Sequence, residues 1–298
     1  MLSIIVCSRN KTLSKSFVDN ISSTVGTVHE IISIDNSSDE HSIFSAYNIG
    51  FAKSKYPYIC FVHEDVSFLT QNWGTKIIEH LKIPKTGIIG LAGGDLATRI
   101  PASWSTLMSC VNIVQSDRTG KKHTKLIQLP VDQKESRRSV ILLDGVLMCM
   151  KRELMNKIHF DEQFKGFHGY DFDITMQSIL AGYVNYVIFD IRLEHFSRGK
   201  TDAVYYKNLI SVFRKWQAFL PLIGENVSEE QSRQIPEIEK KMLSKLVNKM
   251  ARKGISTKEI IAETTYFAKV IDDEKEIQHI KSRLFFIRLF NCPTYLFK

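Results

Sequence analysis

The chain has 298 residues, of which 44% are hydrophobic and 24% are charged, and its formal net charge is +8 at pH 7. These values are ordinary for a folded globular protein and exclude a disordered or collagen-like chain. No apolar run reaches the roughly 18–20 residues that a membrane-spanning helix needs, and the length suits one large domain or one domain with a substantial appendage.

Strands and helices alternate along the N-terminal third of the chain. Short apolar runs predict buried strands at Ser3–Cys7, Glu30–Asp35, Tyr58–Val62 and Ile88–Gly93. Apolar residues at helical spacing predict helices between them at Thr12–Val25, His41–Ser54 and Asn72–Leu81. This alternation, with connections long enough for crossovers, predicts an α/β fold with a mainly parallel sheet and helices on both faces.

A polar and basic stretch, residues 115–139, interrupts the alternation. Loops this long are usually functional, so we expect this one to contribute to acceptor choice. Strand character returns at Val140–Lys151, where the Asp144-Gly145 pair predicts a bend or a close backbone approach. The remaining predicted elements of this part are a helix at Asp171–Ala181 and a strand at Tyr186–Asp190.

The strand pattern stops at about Thr201, and helical periodicity with many Lys and Glu residues follows. We therefore expect an α/β domain over residues 1–200 and a basic helical region over residues 201–298. The last segment, residues 281–298, mixes apolar and basic side chains. It fits either a terminal helix packed on its own domain or an interfacial anchor on anionic lipid.

The five cysteines show no CxxC spacing and are odd in number. Cys7, Cys60 and Cys149 lie in apolar runs, where cysteine behaves as a small buried hydrophobic residue. This usage favours a reducing compartment over a disulfide framework. Because strand-like residues begin at Ser3, no N-terminal signal is evident. We expect a cytoplasmic protein, with contact to the inner face of the membrane as a further expectation.

Polar side chains follow each of the first three predicted strands. They are Ser8, Arg9 and Asn10, then Asp35 and Asn36, then His63, Glu64 and Asp65. Solvated loop starts would account for any one of these ends, but ligands of parallel sheets bind at the carboxyl ends of strands. The sequence has neither a dinucleotide glycine fingerprint nor a phosphate-binding P-loop. A carboxylate-held divalent cation could neutralise ligand phosphates instead.

Six segments together resemble the GT-A fold of family-2-type glycosyltransferases over roughly residues 1–200. They are SIIVCSRN, IISIDNSSDE, AYNIGFAKSKYPYICFVHEDV, LLDGVLMCMKRELMNKIHFDEQF, FHGYDFDITMQSILAGY and LEHFSRG. Three positions depart from the family pattern. His63 replaces the first Asp of Asp-x-Asp, as in a subgroup with His-x-Asp-Val, Tyr170 replaces a Glu, and Arg9 stands where an aromatic residue often stacks on the base.

The resemblance implies a donor site at the strand ends. Asp65 and His195 would hold the divalent cation, Mn²⁺ or Mg²⁺, and the donor would be a nucleotide sugar, most simply a UDP-sugar. The expected nucleotide-sugar contacts come from Ser8, Arg9, Asn10, Asp35, Asn36, Asn48, His63 and Glu64, with Asp144 and Gly145 lining the sugar or acceptor pocket.

The resemblance also implies a mechanism. Asp171 would be the general base that takes the proton of an acceptor hydroxyl, and a single carboxylate base inverts the anomeric centre. The acceptor would be a glycan or a lipid-linked molecule, in polysaccharide or glycoconjugate synthesis. Two competing interpretations of this segment remain open: Asp171 as a simple helix N-cap, and Asp173 as the base.

Three other functions compete with glycosyl transfer. A sugar nucleotidyltransferase usually carries a glycine-rich N-terminal loop, which SRNKTLSKS lacks. A catalytically silent glycan- or nucleotide-binding protein of the same fold would account for His63 and Tyr170. Nucleic-acid binding is not expected, because no reader motif accompanies the basic C-terminal region.

Overall fold

The computed structural model describes residues 1–107, 109–116, 125–126, 135–196, 201–273, 275, 278 and 282. Its contacts divide into two compact units. The first comprises Met1–Leu96, Trp104–Gly199 and Ile223–Asn226, and the second comprises Ala97–Ser103, Lys200–Leu222 and Val227–Lys298. A division of the chain into two domains at residue 200 stays a prediction.

The strands of the chain are β1 (Leu2–Ser8), β2 (His29–Asp35), β3 (Tyr58–Val62), β4 (Val66–Phe68), β5 (Thr86–Gly90), β6 (Ala92–Gly94), β7 (Leu96–Ala97), β8 (Ser109–Val111), β9 (Ile113–Gln115), β10 (Lys125–Leu126), β11 (Arg137–Val140), β12 (Leu142–Leu143), β13 (Leu147–Lys151), β14 (Val184–Ile188), β15 (Leu193–His195) and β16 (Leu222–Ile223). The helices are α1 (Lys15–Thr24), α2 (Ile43–Lys53), α3 (Trp73–Lys82), α4 (Arg152–Met155), α5 (Tyr170–Leu180), α6 (Ala203–Trp216), α7 (Glu229–Arg233), α8 (Ile235–Arg252) and α9 (Thr257–Val270).

The central sheet has the strand order β11-β14-β5-β13-β3-β1-β2. Strands β1, β2 and β3 are parallel, as are β5 and β14, while β13 and β11 run antiparallel to their neighbours. The predicted α/β fold with a mainly parallel sheet is confirmed. The predicted strand Ile88–Gly93 is divided, because the chain leaves the central sheet after Gly90 and continues as β6 in a small sheet with β8 and β12.

Alternation of side chains along β3 explains why helices cover both faces. Cys60 packs with Trp73 of α3 in one buried cluster, and Phe61 packs with Tyr47 of α2 and Ile174 of α5 in the other. Successive side chains of a strand point to opposite faces, so an apolar run such as YICFV fills two cores at once.

A second sheet has the strand order β10-β9-β15-β4. It places the residues that follow β3 next to β15, the strand that ends at His195. Strand β15 pairs antiparallel with β4, which places His195 opposite Val66, and the Phe196 amide donates to the Asp65 carbonyl oxygen at 2.9 Å. On its other side β15 pairs with β9, which places His195 opposite Gln115.

The prediction for Cys60 and Cys149 is wrong in one respect, because the two residues form a disulfide. They are directly opposite one another on the antiparallel strands β3 and β13, and both are fully buried. Side chains at such opposed positions lie close enough to bond, which periodicity along one segment cannot reveal. Cys7 and Cys110 are free thiols.

The second unit contains the helical region expected after residue 201. Its core includes Tyr206 of α6, Leu243 of α8 and Phe267 of α9. The buried Glu239 carboxylate accepts hydrogen bonds from the backbone amide and guanidinium of Arg99. Within the described part of the chain, no helix is both long and apolar enough to span a membrane. The tail 281–298 lies, apart from Ser282, outside the described residues.

Candidate active site

Two ionisable side chains that follow β3, those of His63 and Asp65, lie close to His195 at the end of β15. His63 Nδ1 lies 3.9 Å from Asp65 Oδ1, and His195 Nε2 lies 3.4 Å from the same oxygen. Potential ligand atoms of the three residues all fall within 4.8 Å of one another. One divalent cation could therefore contact all three side chains.

Asp65 is ionised in this cluster. Burial raises the pKa of its carboxyl group, but the neighbouring His195 imidazole outweighs burial and brings that pKa to about 2. Partial burial, together with the nearby His195 ring, lowers the pKa of His63. The cluster therefore holds a carboxylate beside a neutral His63 ring, and neutral imidazole is the form that binds metal ions.

Gln115 determines which nitrogen of His195 carries the proton. Its Nε2 donates to the His195 carbonyl oxygen at 3.0 Å, which leaves Oε1 as the acceptor 3.2 Å from His195 Nδ1. When the ring is neutral, its proton is therefore on Nδ1 and Nε2 presents a lone pair toward Asp65; when the ring is protonated, Nε2–H faces the carboxylate and lowers its pKa. Within the described residues, the buried His195 Nε2 has no hydrogen-bond partner. Two electron-rich atoms facing one another at 3.4 Å fit a cation between them, so the residues present suit a metal site.

Sequence reasoning missed Gln115. In the sequence it begins the polar stretch 115–139, whereas the structure places it at the end of β9. Metal-binding histidines commonly have a hydrogen-bond partner on the second ring nitrogen, but that partner can come from any part of the chain.

Asp171 lies in the first turn of α5. The helix begins at Tyr170 after Gly169, the N-cap residue with φ of 84°, so Asp171 is not the N-cap. Its Oδ1 accepts from the Phe172 amide at 2.9 Å. Burial and the neighbouring Asp144 carboxylate raise the pKa of Asp171 to about 7, although backbone amides, including that of Gly145, act in the opposite direction. A carboxyl group poised near neutral pH can accept and release a proton.

Asp173, the alternative base, points elsewhere. Its side chain is fully buried, and Oδ2 accepts from Gln177 Nε2 at 2.8 Å. Residues 171 and 173 lie about 200° apart around a helix, so the two carboxylates cannot face the same cleft.

Asp144 and Gly145 form the bend between β12 and β13. Asp144 Oδ2 accepts from the Trp104 indole at 2.8 Å, and Oδ1 accepts from the Val146 amide at 2.9 Å. A Cβ atom at Gly145 would lie 2.1 Å from the Tyr170 hydroxyl oxygen, so only glycine permits this approach. The predicted bend is confirmed, and it brings Asp144 beside Asp171.

Glu64 ties the loop after β1 to the end of β3. Its carboxylate accepts from the Ser8 hydroxyl at 2.6 Å, from the Arg9 amide at 3.1 Å and from Asn10 Nδ2 at 3.5 Å. The Arg9 guanidinium lies 5.9 Å from the centre of the Phe167 ring. The structure thus brings together two of the three polar strand ends.

The other expected nucleotide-binding residues are engaged in local structure. The amide group of Asn36 bonds with both the N–H and the C=O of His41, and that of Asn48 does the same with Phe160. Asp35 is exposed, and hydrogen bonds from Ser37 lower the pKa of its carboxyl group. Contact of these three residues with a nucleotide stays a prediction.

Residues 3–196 match the family described as "Glycosyltransferase like family". The chain belongs to this family. The predicted relationship to family-2-like glycosyltransferases is confirmed. No curated protein matches the chain.

Solved glycosyltransferase structures share the fold. The mannosyltransferase PcManGT from Pyrobaculum calidifontis, in complex with GDP-Man and Mn²⁺, is 12% identical with a TM-score of 0.52, covering 97% of this chain and 87% of its own. GalNAc-T7 with UDP, GalNAc and Mn²⁺ is 14% identical with a TM-score of 0.50, covering 78% of this chain. This chain spans about half, 53%, of the GalNAc-T7 chain. The predicted GT-A fold is confirmed.

Proposed function

We propose that this glycosyltransferase moves a sugar from a nucleotide-sugar donor to a hydroxyl group of a glycan or lipid-linked acceptor, in polysaccharide or glycoconjugate synthesis. The observation that carries the proposal is the pair of facing electron-rich atoms, Asp65 Oδ1 and His195 Nε2, at the end of β3. The solved structures of similar fold contain UDP or GDP-Man together with Mn²⁺, which supports the donor class. A UDP-sugar is the first candidate.

Asp65 and His195 hold the divalent cation, Mn²⁺ or Mg²⁺, in this proposal. When bound, the cation stabilises the negative charge of the leaving diphosphate. Glu64 keeps the Ser8–Asn10 loop beside this position, where the loop amides and the Arg9 side chain can contact the nucleotide. Asp35, Asn36 and Asn48 complete the proposed donor site.

Asp171 is the proposed general base. The acceptor oxygen attacks C1 of the donor sugar, its proton passes to the Asp171 carboxylate, and the bond from C1 to the diphosphate oxygen breaks with the electron pair leaving on that oxygen. Attack opposite the leaving group inverts the anomeric centre. A pKa of about 7 suits this role, because the base must be ionised before the reaction and protonated after it. Asp144 and Gly145 line the acceptor side.

We also propose a cytoplasmic location, with contact to the inner face of the membrane through residues 281–298. The Cys60–Cys149 disulfide bears against a reducing compartment. Because both cysteines are fully buried, alkylation under denaturing, non-reducing conditions during cell lysis, followed by mass spectrometry, distinguishes the two cases. Cysteines 60 and 149 should both be alkylated if the cytoplasmic proposal holds.

The functional test is a panel of nucleotide sugars, with and without Mn²⁺, read by thermal unfolding and by release of the nucleoside diphosphate. A matching donor at 100 times its Kd should stabilise the protein by about 2.7 kcal/mol. Stabilisation together with diphosphate release supports the enzyme. Stabilisation without diphosphate release in any sample that contains an acceptor would identify the silent binding protein. The absence of both stabilisation and diphosphate release would contradict the proposal.

A further inference from the structure

We propose that His63 is a third protein ligand of the cation through Nδ1, and that Tyr170 is the positioning residue that keeps this nitrogen available. The inference rests on the proposed cation site and departs from the expectation that His63 contacts the nucleotide. It joins two of the three positions at which the sequence leaves the family pattern, because His63 Nε2 and the Tyr170 hydroxyl oxygen lie 2.7 Å apart.

The hydrogen bond to Tyr170 determines the tautomer of His63. A neutral imidazole carries one proton, so Nδ1 can bind a cation only when that proton is on Nε2. His63 Nε2 and the Tyr170 hydroxyl oxygen lie within hydrogen-bond distance at 2.7 Å, whereas Nδ1 is 3.9 Å from Asp65 Oδ1, too far for a hydrogen bond. With the proton on Nε2, this nitrogen donates to the Tyr170 hydroxyl oxygen and the lone pair of Nδ1 faces the carboxylate, which is the tautomer that can bind a cation.

The Tyr170 ring is held in place by its buried neighbours, which include the fully buried Tyr47. The rings of Tyr47 and Tyr170 pack edge to face, with centroids 5.7 Å apart. Gly145 contributes by its missing side chain, since a Cβ atom there would lie 2.1 Å from the Tyr170 oxygen. Packing therefore fixes the Tyr170 hydroxyl where His63 needs it.

A ligand set of two imidazoles and one carboxylate has a consequence for metal choice. Imidazole ligands favour first-row transition metals, whereas Mg²⁺ favours oxygen ligands. His195 on its own adds one imidazole to Asp65, and His63 doubles that number. We expect Mn²⁺ to bind well ahead of Mg²⁺ in the absence of nucleotide, and the ratio of the two affinities reports whether His63 takes part.

The test compares Mn²⁺ and Mg²⁺ binding, by calorimetry and by Mn²⁺ electron paramagnetic resonance, in the metal-free full-length protein and its variants. Tyr170→Phe keeps the ring and removes the acceptor, so Mn²⁺ affinity should fall by about 10–100-fold. His63→Asp replaces an imidazole with a carboxylate, so the Mn²⁺/Mg²⁺ affinity ratio should fall at least about tenfold. Tyr183→Phe removes a hydroxyl group that bonds with Lys157 at 2.9 Å and should leave both affinities unchanged.

Nitrogen chemical shifts of His63 give a readout that a merely structural role would not move. In the metal-free wild type they should show a protonated Nε2, and in Tyr170→Phe a loss of that tautomer preference. The inference is overturned if Nδ1 carries the proton in the wild type, or if both His63→Asp and Tyr170→Phe, when folded, retain the wild-type affinities. Diphosphate release from a panel of donors is measured separately from metal binding. The glycosyltransferase proposal can therefore hold while the His63 assignment fails, and the His63 assignment can hold while the glycosyltransferase proposal fails.

Discussion

Replacing Asp171 with Asn should make the protein more stable and much less active. The carboxyl group has a pKa of about 7 in the folded protein against an ordinary value of 3.8, because burial and Asp144 disfavour its charge. The unfolded chain releases this proton near pH 4, whereas the folded chain holds it until about pH 7. Stability from this group is therefore complete below about pH 4 and is lost as the pH rises through 7.

The size of the effect follows from the shift in pKa. At 1.36 kcal/mol per unit, a change from 3.8 to about 7 corresponds to about 4 kcal/mol. Asp171 retains some contact with solvent, and screening by water reduces the expected gain in Asp171→Asn to about 2 kcal/mol at pH 8. The gain should shrink toward pH 5, where the wild-type carboxyl group is already protonated.

The assay pairs chemical unfolding at pH 5 and pH 8 with steady-state turnover of the accepted donor. Turnover of Asp171→Asn should fall by about 10²–10⁴-fold with donor Kd little changed, because an amide cannot take the acceptor proton. Wild-type kcat should rise with pH up to about 7 as the base ionises, and the variant should lose this rise.

Asp173→Asn is the matched control. Its amide oxygen can keep the bond from Gln177, so we expect a turnover within about tenfold of the wild type. The reasoning is refuted if Asp171→Asn is no more stable than the wild type at pH 8. The assignment of the base is refuted if Asp171→Asn retains near wild-type turnover.

Three further predictions concern other parts of the structure. Gly145→Ala should lower both the melting temperature and Mn²⁺ affinity, measured by thermal unfolding and calorimetry, because its Cβ would displace the Tyr170 hydroxyl; wild-type values for both would contradict the close approach. Cys60→Ala should lower the free energy of unfolding by about 2–4 kcal/mol under non-reducing conditions and change it much less in reductant, whereas equal losses would indicate no disulfide. Glu239→Ala should destabilise the second unit by about 3 kcal/mol or more, because it leaves the charged Arg99 side chain without its carboxylate partner. Denaturant unfolding measures this loss, and a loss below about 1 kcal/mol would contradict the prediction.

Local patterns were sufficient to predict most of the first unit. The run YICFV reports a strand buried on both faces, and helical spacing of apolar residues located α1, α2, α3 and α5 to within a few residues. Helix ends were less accurate: α1 begins at Lys15 because the Ser14 hydroxyl caps it, whereas the prediction began at Thr12. Apolar periodicity reports burial, and caps are set by single side chains.

Contacts between distant segments could not be predicted in the same way. The partners of Cys60 and His195 lie 89 and 80 residues away, in Cys149 and Gln115, and only strand pairing brings them together. The resemblance to a family suggested that Asp65 and His195 lie near one another, but it carried no information on the bond between His63 and Tyr170. Both residues depart from the family pattern, so their relationship follows from the fold alone.

Release of nucleoside diphosphate from a nucleotide sugar is the most direct test of the proposed function. The purified full-length protein is incubated with UDP- and GDP-sugars, a mixture of glycan and lipid-linked acceptors and Mn²⁺, with EDTA and Asp171→Asn samples in parallel. We expect the wild type to release diphosphate from at least one donor, with loss of activity in EDTA and in Asp171→Asn. The account would be contradicted by a donor that binds and stabilises the wild type but whose diphosphate is released equally slowly by the wild type, the EDTA sample and Asp171→Asn.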